Sequence, residues 1–232
     1  MLRTATLSVF GRILGYDSIP GQISGKAAGS SAKIQGYHEH AHFFCEPDFE
    51  TGEITHISVF TPAQIPFEHL LIFAQITEIW SADFGKFYLE PTNEDPFLSS
   101  LIYGSSSRWK SLTPFLLDRH LRIKRSEKHD ELTYNQALER ELAKQIKKEL
   151  TDRNLPEPLS VTFDRKNGVH LNHDHYISWN EFRRFRTQST RRPAIEYGHG
   201  FEITFNKKIT GPLALGYASH FSLGLFTPVN YG

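Results

Sequence analysis

The run Gly211-Pro-Leu-Ala-Leu-Gly216-Tyr-Ala-Ser-His220-Phe-Ser-Leu-Gly224-Leu-Phe226 decides how this chain is read. It holds two short apolar strands hinged on glycines, with one histidine and two small hydroxyls between them. Glycine takes backbone angles closed to other residues, or lets another backbone come close. Leu213, Leu215, Phe221, Leu223, Leu225 and Phe226 are expected to anchor the hairpin in a core. The N–H groups of such a loop can face a phosphate. The same spacing also serves a glycine-rich hairpin that closes a β-sheet and meets no ligand, and the pattern alone does not choose.

Working outward, 232 residues suffice for one large domain or two small ones with a substantial core. Lys and Arg number 26 and Asp and Glu 26, so any nucleic-acid surface must be a local patch. Cys45 is the single cysteine, which excludes an internal disulfide and a cysteine-based zinc cluster and fits a reducing, cytoplasmic location. No apolar run has the roughly 18 residues of a membrane span. No signal peptide is read at the N-terminus.

Leu7, Phe10, Ile13 and Leu14 give residues 4–14 a helical spacing, with no strand in front. Residues 15–36 carry five glycines among serines and read as a long surface loop containing Lys26 and Lys33. Strands are expected over 38–45, 54–60 and 84–89. Pro66 should open a well-buried helix extending through Ile76 and Ile79. The polar segment 91–107 reads as a linker, and Trp109–Leu117 as a strand entering a second half. The clearest helix is 133–152, with Leu138, Leu142, Ile146 and Leu150 at four-residue steps and Thr133 as its expected cap. Later strands are expected over 159–163, 176–185, 200–205 and 213–226. The string suits an α+β protein of two ferredoxin-like (RRM-like) domains in tandem, 1–104 and 105–232, the second ending in the glycine-rich loop.

Four clusters carry chemistry. On a strand, His38, His40 and His42 would line one face. Histidine titrates near neutrality and serves as acid or base, but such a row is also compatible with a solvated strand edge or a partial metal site. His170, His173 and His175 sit in a polar loop and read as ordinary surface histidines. Arg183, Arg184 and Arg186, with Arg191, Arg192, Lys207 and Lys208, place seven cations between 181 and 208 against three Glu. Interleaved with Phe182 and Phe185, they suit phosphate tracking and base stacking, or a solvated hairpin. Arg119, His120, Arg122, Lys124 and Arg125 form a second basic run that either grips RNA or simply precedes the helix.

The run 211–226, the stretch 36–44 with its alternating histidines, Trp109–Pro114 and the Arg183–Arg186 cluster together resemble a CRISPR-associated family. It is the RAMP-superfamily repeat-processing protein of type I-G (formerly I-U) systems. The resemblance implies two ferredoxin-like domains that bind CRISPR repeat RNA. It also implies that they cut the precursor without a metal or other cofactor, by attack of a ribose 2′-OH that leaves a 2′,3′-cyclic phosphate. It implies further that the protein stays on its product and joins other subunits of a type I effector complex. Carried onto this chain, His40 and His42 become the acid and base, with His38 beside them and Lys26 or Lys33 stabilising the charged phosphorane. Arg183, Arg184, Arg186, Arg191, Arg192, Arg119 and Arg122 would hold RNA, with Gly211, Gly216, Ser219, His220 and Gly224 as the RNA-facing loop. The alternatives are a non-catalytic RNA-binding subunit and a metal hydrolase using the histidine rows.

Overall fold

A computed structural model describes residues 1–26, 40–48, 50–92, 94–117, 120–171, 174–182 and 197–229. The chain divides into two compact units, Met1–Phe44 with Ile57–Asp95, and Cys45–His56 with Pro96–Gly232. The structure is mixed α+β, as expected, and among the described residues no helix is long and apolar enough to cross a membrane.

The first unit opens with α1 (Leu2–Leu14), a 3-10 turn at Tyr16–Ser18 and the single-turn α2 (Gly21–Ser24). Two strands that form a two-stranded sheet follow, β1 (His42–Pro47) and β2 (Ile54–Phe60), of which His42–Phe44 and Ile57–Phe60 belong to this unit. Then come α3 (Phe67–Phe73) and the hairpin of β3 (Glu78–Ser81) and β4 (Gly85–Tyr88). The helical spacing of α1 turns Val9 and Phe10 inward against Ile23, Ile72, Ile76 and Ile79. Phe10 meets Phe73 edge-on with ring centres 5.0 Å apart, a geometry favoured by the ring quadrupoles.

Three expectations fail in this unit. The described part of 15–36, read as a surface loop, holds the 3-10 turn and α2, and Ile23 of α2 is fully buried. The helix opened by Pro66 stops at Phe73, and Ile79 belongs to a strand paired with Phe87. The apolar run that suggested one long helix contains the β-branched Ile76, Thr77 and Ile79, which sit comfortably on a pleat. Nor is α3 well buried. Only Ile72 of its seven residues is buried, while Phe67, Leu70 and Leu71 are exposed, as are Trp80, Phe84, Phe87 and Tyr88 on the hairpin.

The second unit contains α4 (Pro96–Ser99), β5 (Ser105–Ser111), α5 (Glu131–Asp152), β6 (Pro158–Asp164), β7 (Gly168–His170), β8 (Tyr176–Ser178), β9 (Gly200–Thr210), β10 (Leu213–Ala214) and β11 (Leu225–Pro228). The segment expected to be a linker thus carries a helix and the start of β5, and β5 ends before Thr113-Pro114. The strand expected over 176–185 is cut short at Ser178 by a 3-10 turn, Trp179–Phe182.

Five of these strands form one antiparallel sheet in the order β10-β11-β5-β9-β6. Since β9 runs antiparallel to both β5 and β6, those two run the same way, joined by α5 and split by β9. This is a split β-α-β unit. Pro158 opens the edge strand β6, where its missing N–H costs no ladder bond. Alternation sends Trp109, Phe201, Ile203 and Phe205 to one face, where Leu142, Ile146 and Leu150 of α5 cover them. Burying each such side chain contributes about 1.5–3 kcal/mol. The cap of α5 is Asp130 rather than Thr133. Its carboxylate accepts from the Thr133 hydroxyl and backbone N–H, both at 2.7 Å, and these bonds hold it below the usual carboxylate range.

Candidate functional site

The glycine segment, residues 211–224, runs from the end of β9 through β10 and back to β11, where Leu213 pairs with Phe226 and Ala214 with Leu225. Between the strands the backbone turns left-handed at Gly216 (φ 91°), Ala218 (φ 59°), Ser222 (φ 66°) and Gly224 (φ 60°). Five of its N–H groups are taken up inside the fold rather than left to cradle a phosphate. Gly216 donates to Glu149, Tyr217 to the Leu116 carbonyl, Ser219 to Gly216, Phe221 to Ala218 and Gly224 to the Pro114 carbonyl. The glycines are there for close packing. A Cβ on Gly224 would overlap the Leu215 carbonyl, and one on Gly216 would lie 2.7 Å from the Leu116 carbonyl oxygen. Ser219, expected to face RNA, is fully buried. What the segment offers outward is its tip, where Phe221 is 40% exposed and Tyr217 and His220 are partly exposed.

Trp109–Pro114 and the glycine segment, two stretches picked out separately in the sequence, are laced together. Leu112 donates to the Leu225 carbonyl, the Thr113 hydroxyl donates to the Ser222 carbonyl at 2.6 Å and accepts from Leu225, and a Cβ on Gly211 would strike the Trp109 ring. The segment is also fastened to the end of α5. Arg153 donates through Nη1 to the Ala214 carbonyl and through Nη2 to Ser219 Oγ at 3.2 Å and to Glu149 Oε2 at 3.1 Å. Glu149 Oε2 in turn accepts the Gly216 N–H at 2.8 Å. Burial pulls the Arg153 guanidinium below its ordinary value, and the Glu149 carboxylate opposes that pull. Neither residue was singled out from the sequence. The available signal was a Glu in the last turn of the clearest helix and an Arg four residues on, at its C-cap, a spacing that brings the two together.

In the first unit, Lys26 closely follows α2, and His40 returns to the same stretch of backbone. Ser24 ends α2 and its carbonyl is held by Arg3 of α1 at 2.7 Å, while its hydroxyl accepts the Lys26 N–H at 3.2 Å. The His40 ring lies against Gly25, where a Cβ would sit 3.3 Å from its Cδ2. Lys26 is exposed and His40 partly so. His42 is placed differently. It is the first residue of β1, 4% exposed, with its ring between Phe44 at 5.5 Å and Phe60 at 6.1 Å. The expected row on one strand face does not extend to His40, because the Ala41 N–H bonds to the Gln22 carbonyl at 2.7 Å and the strand starts after it. His38 and Lys33 lie outside the described residues.

Arg122 is exposed. Arg119, Arg183, Arg184, Arg186, Arg191 and Arg192 lie outside the described residues. Two cations not anticipated occupy the sheet face turned away from α5, by alternation with Trp109. Arg108 bonds Glu202 Oε1 through Nε and Nη2, at 3.0 and 2.6 Å, and Lys110 lies opposite Glu202 in register. Among the described residues, no three of His, Cys, Asp and Glu cluster as metal ligands.

Burial clearly moves the protonation of His199. The residue bridges Phe115 by two backbone bonds, its ring tilts against Phe163 at 5.6 Å, and burial lowers its pKa from 6.5 to about 4. The unfolded chain therefore binds the proton first as pH falls. The stability from keeping this ring neutral is full above pH 6.5 and is lost as pH drops toward 4. The loss between pH 7 and pH 5 is about 2 kcal/mol. Urea midpoints at the two pH values should differ accordingly in the native chain, and His199→Phe should remove most of that difference. An equal difference in both proteins would refute the assignment.

Comparison of the chain with protein-family models, with curated proteins and with solved structures finds no match.

Proposed function

We propose that this chain binds CRISPR repeat RNA and cleaves the precursor transcript without a metal, acting in the cytoplasm beside other subunits of a type I effector complex. One observation carries the reading: two of the stretches that resemble the RAMP family, Trp109–Pro114 and 211–226, build a single hydrogen-bonded corner of the second unit. The strand order supports it. Counted within the unit, four strands lie 4-1-3-2 around a split β-α-β, the arrangement of a ferredoxin-like fold, with the glycine segment where a second helix would run.

The chemistry assigned is transesterification. The 2′-oxygen loses its proton and bonds to the adjacent phosphorus in line. The bond from phosphorus to the 5′-oxygen breaks, and that oxygen takes a proton, leaving a 2′,3′-cyclic phosphate and a 5′-OH. His40 moves one of these protons, and Lys26 faces the charge that gathers on the phosphorane oxygens. His220 and Phe221 at the segment's tip, with Arg122 and Arg108 in the same unit, are the RNA-contacting groups among the described residues.

One observation favours a second reading, an RNA-binding subunit that does not cut. Two protons must move, and of the described pair only His40 is open to a substrate, since His42 is buried. Incubating the protein with repeat RNA in EDTA separates the two. Cleavage that stops on 2′-deoxy substitution at the scissile nucleotide is expected. Cutting that survives the substitution would sink the mechanism, and tight binding without cutting would establish the second reading.

A further inference from the structure

We infer that Glu149 and Arg153 are positioning residues, a clamp that holds the glycine segment in the one conformation that presents its tip to RNA. The inference rests on the proposed RNA-binding function and names how the same corner is organised.

The clamp grips the segment at three points spread over six residues. Arg153 takes the Ala214 carbonyl and the Ser219 hydroxyl, and Glu149 takes the Gly216 N–H. Both side chains are largely buried, 11% exposed for Arg153 and 17% for Glu149. The tip, Tyr217 to Phe221, starts directly after the second of these points and contains the third, Ser219, which leaves His220 and Phe221 immediately beyond it. With Gly216 and Ser219 fixed, the intervening Tyr217 and Ala218 have little room to rearrange, and Tyr217 is itself tied to the Leu116 carbonyl.

A buried ion pair is a poor stabiliser. Apolar residues of similar volume commonly hold a fold as well or better, because the pair loses its hydration. Its use here is geometric. The guanidinium is a planar fork that meets two acceptors and a carboxylate in set directions, which an ammonium cannot do. A glycine-rich segment is the part of this unit with the most backbone freedom to lose. If only a fraction of molecules hold the binding conformation, apparent affinity falls by that fraction.

The experiment compares the native chain with Glu149→Leu/Arg153→Met, which replaces the pair by apolar volume, and with Arg153→Lys, which keeps charge and fold but not the fork. Three readouts are taken. These are thermal melting, amide hydrogen exchange over 213–224, and binding of a labelled repeat hairpin RNA in EDTA. The double variant should melt within a few degrees of the native chain, exchange the segment's amides about tenfold faster or more, and bind the RNA about tenfold more weakly. Arg153→Lys should exchange the segment faster and bind the RNA more weakly than the native chain, and it carries the test alone if the double variant does not fold. Unchanged exchange, or unchanged affinity, overturns the clamp. If the native chain itself fails to bind the hairpin, the proposed function is what has failed, and the exchange data alone then decide whether the clamp holds the segment.

Discussion

Alanine at position 40 is expected to slow cleavage of repeat RNA about 10²–10⁴-fold while leaving the fold intact. The asymmetry with position 42 makes this worth measuring. His40 sits partly exposed on a turn, against Gly25 and one step from the exposed Lys26. Losing its ring removes a proton carrier and little packing. His42 is sealed between Phe44 and Phe60. Removing that ring leaves a cavity, so His42→Ala should destabilise the protein by about 2–4 kcal/mol and affect cleavage only through the folded fraction. Lys26→Met should fall in the range of about 10²–10³, the usual loss of one electrostatic stabiliser. Single-turnover rates at saturating enzyme, set beside melting curves, tell these cases apart. A His40→Ala protein that cuts at the native rate removes His40 from the mechanism.

Gly224→Ala should cost about 3–5 kcal/mol, a large share of the 5–15 kcal/mol that holds an ordinary domain together. Two costs combine. A left-handed residue other than glycine carries about 1–2 kcal/mol of backbone strain. In addition the new methyl group would overlap the Leu215 carbonyl, so β10 and β11 must part. That threatens the bonds from Gly224 to the Pro114 carbonyl at 2.9 Å and from Leu215 to the Gly224 carbonyl at 2.8 Å, each contributing about 1 kcal/mol. Gly85 is the control, with a similar φ of 76° and nothing within 4 Å of an added Cβ. Gly85→Ala should cost only the strain. Urea denaturation of both variants gives the comparison, and equal losses would mean that crowding at Gly224 contributes nothing.

Where a segment's own side chains decide its structure, the sequence was readable. The four-residue steps along α5 place Leu142, Ile146 and Leu150 in the core, and β6 and β9 follow their apolar alternation. The helix after Pro66 was read too long, because an apolar run of β-branched residues fits a helix and a buried strand equally until pairing with Phe87 decides it. The histidine row required a strand starting at residue 38. At His40 the chain instead lies against Gly25, and the Ala41 N–H goes to the Gln22 carbonyl, contacts between segments that no periodicity records. Glycines were read as positions of unusual backbone angle or close backbone approach, and Gly216 and Gly224 show both, with positive φ and a carbonyl where a Cβ would be. Spacing could not say whether the crowding neighbour was a ligand or the chain's own carbonyl.

That crowding carries a consequence for mutational tolerance. Gly224 is fixed by the Leu215 carbonyl and Gly216 by the Leu116 carbonyl, and both demands exist with no RNA present. A descendant of this chain that had lost every RNA contact would still need both glycines in order to fold. Drift would erase the exposed tip at Tyr217, His220 and Phe221 first. The glycine spacing is therefore a record of architecture rather than of any activity.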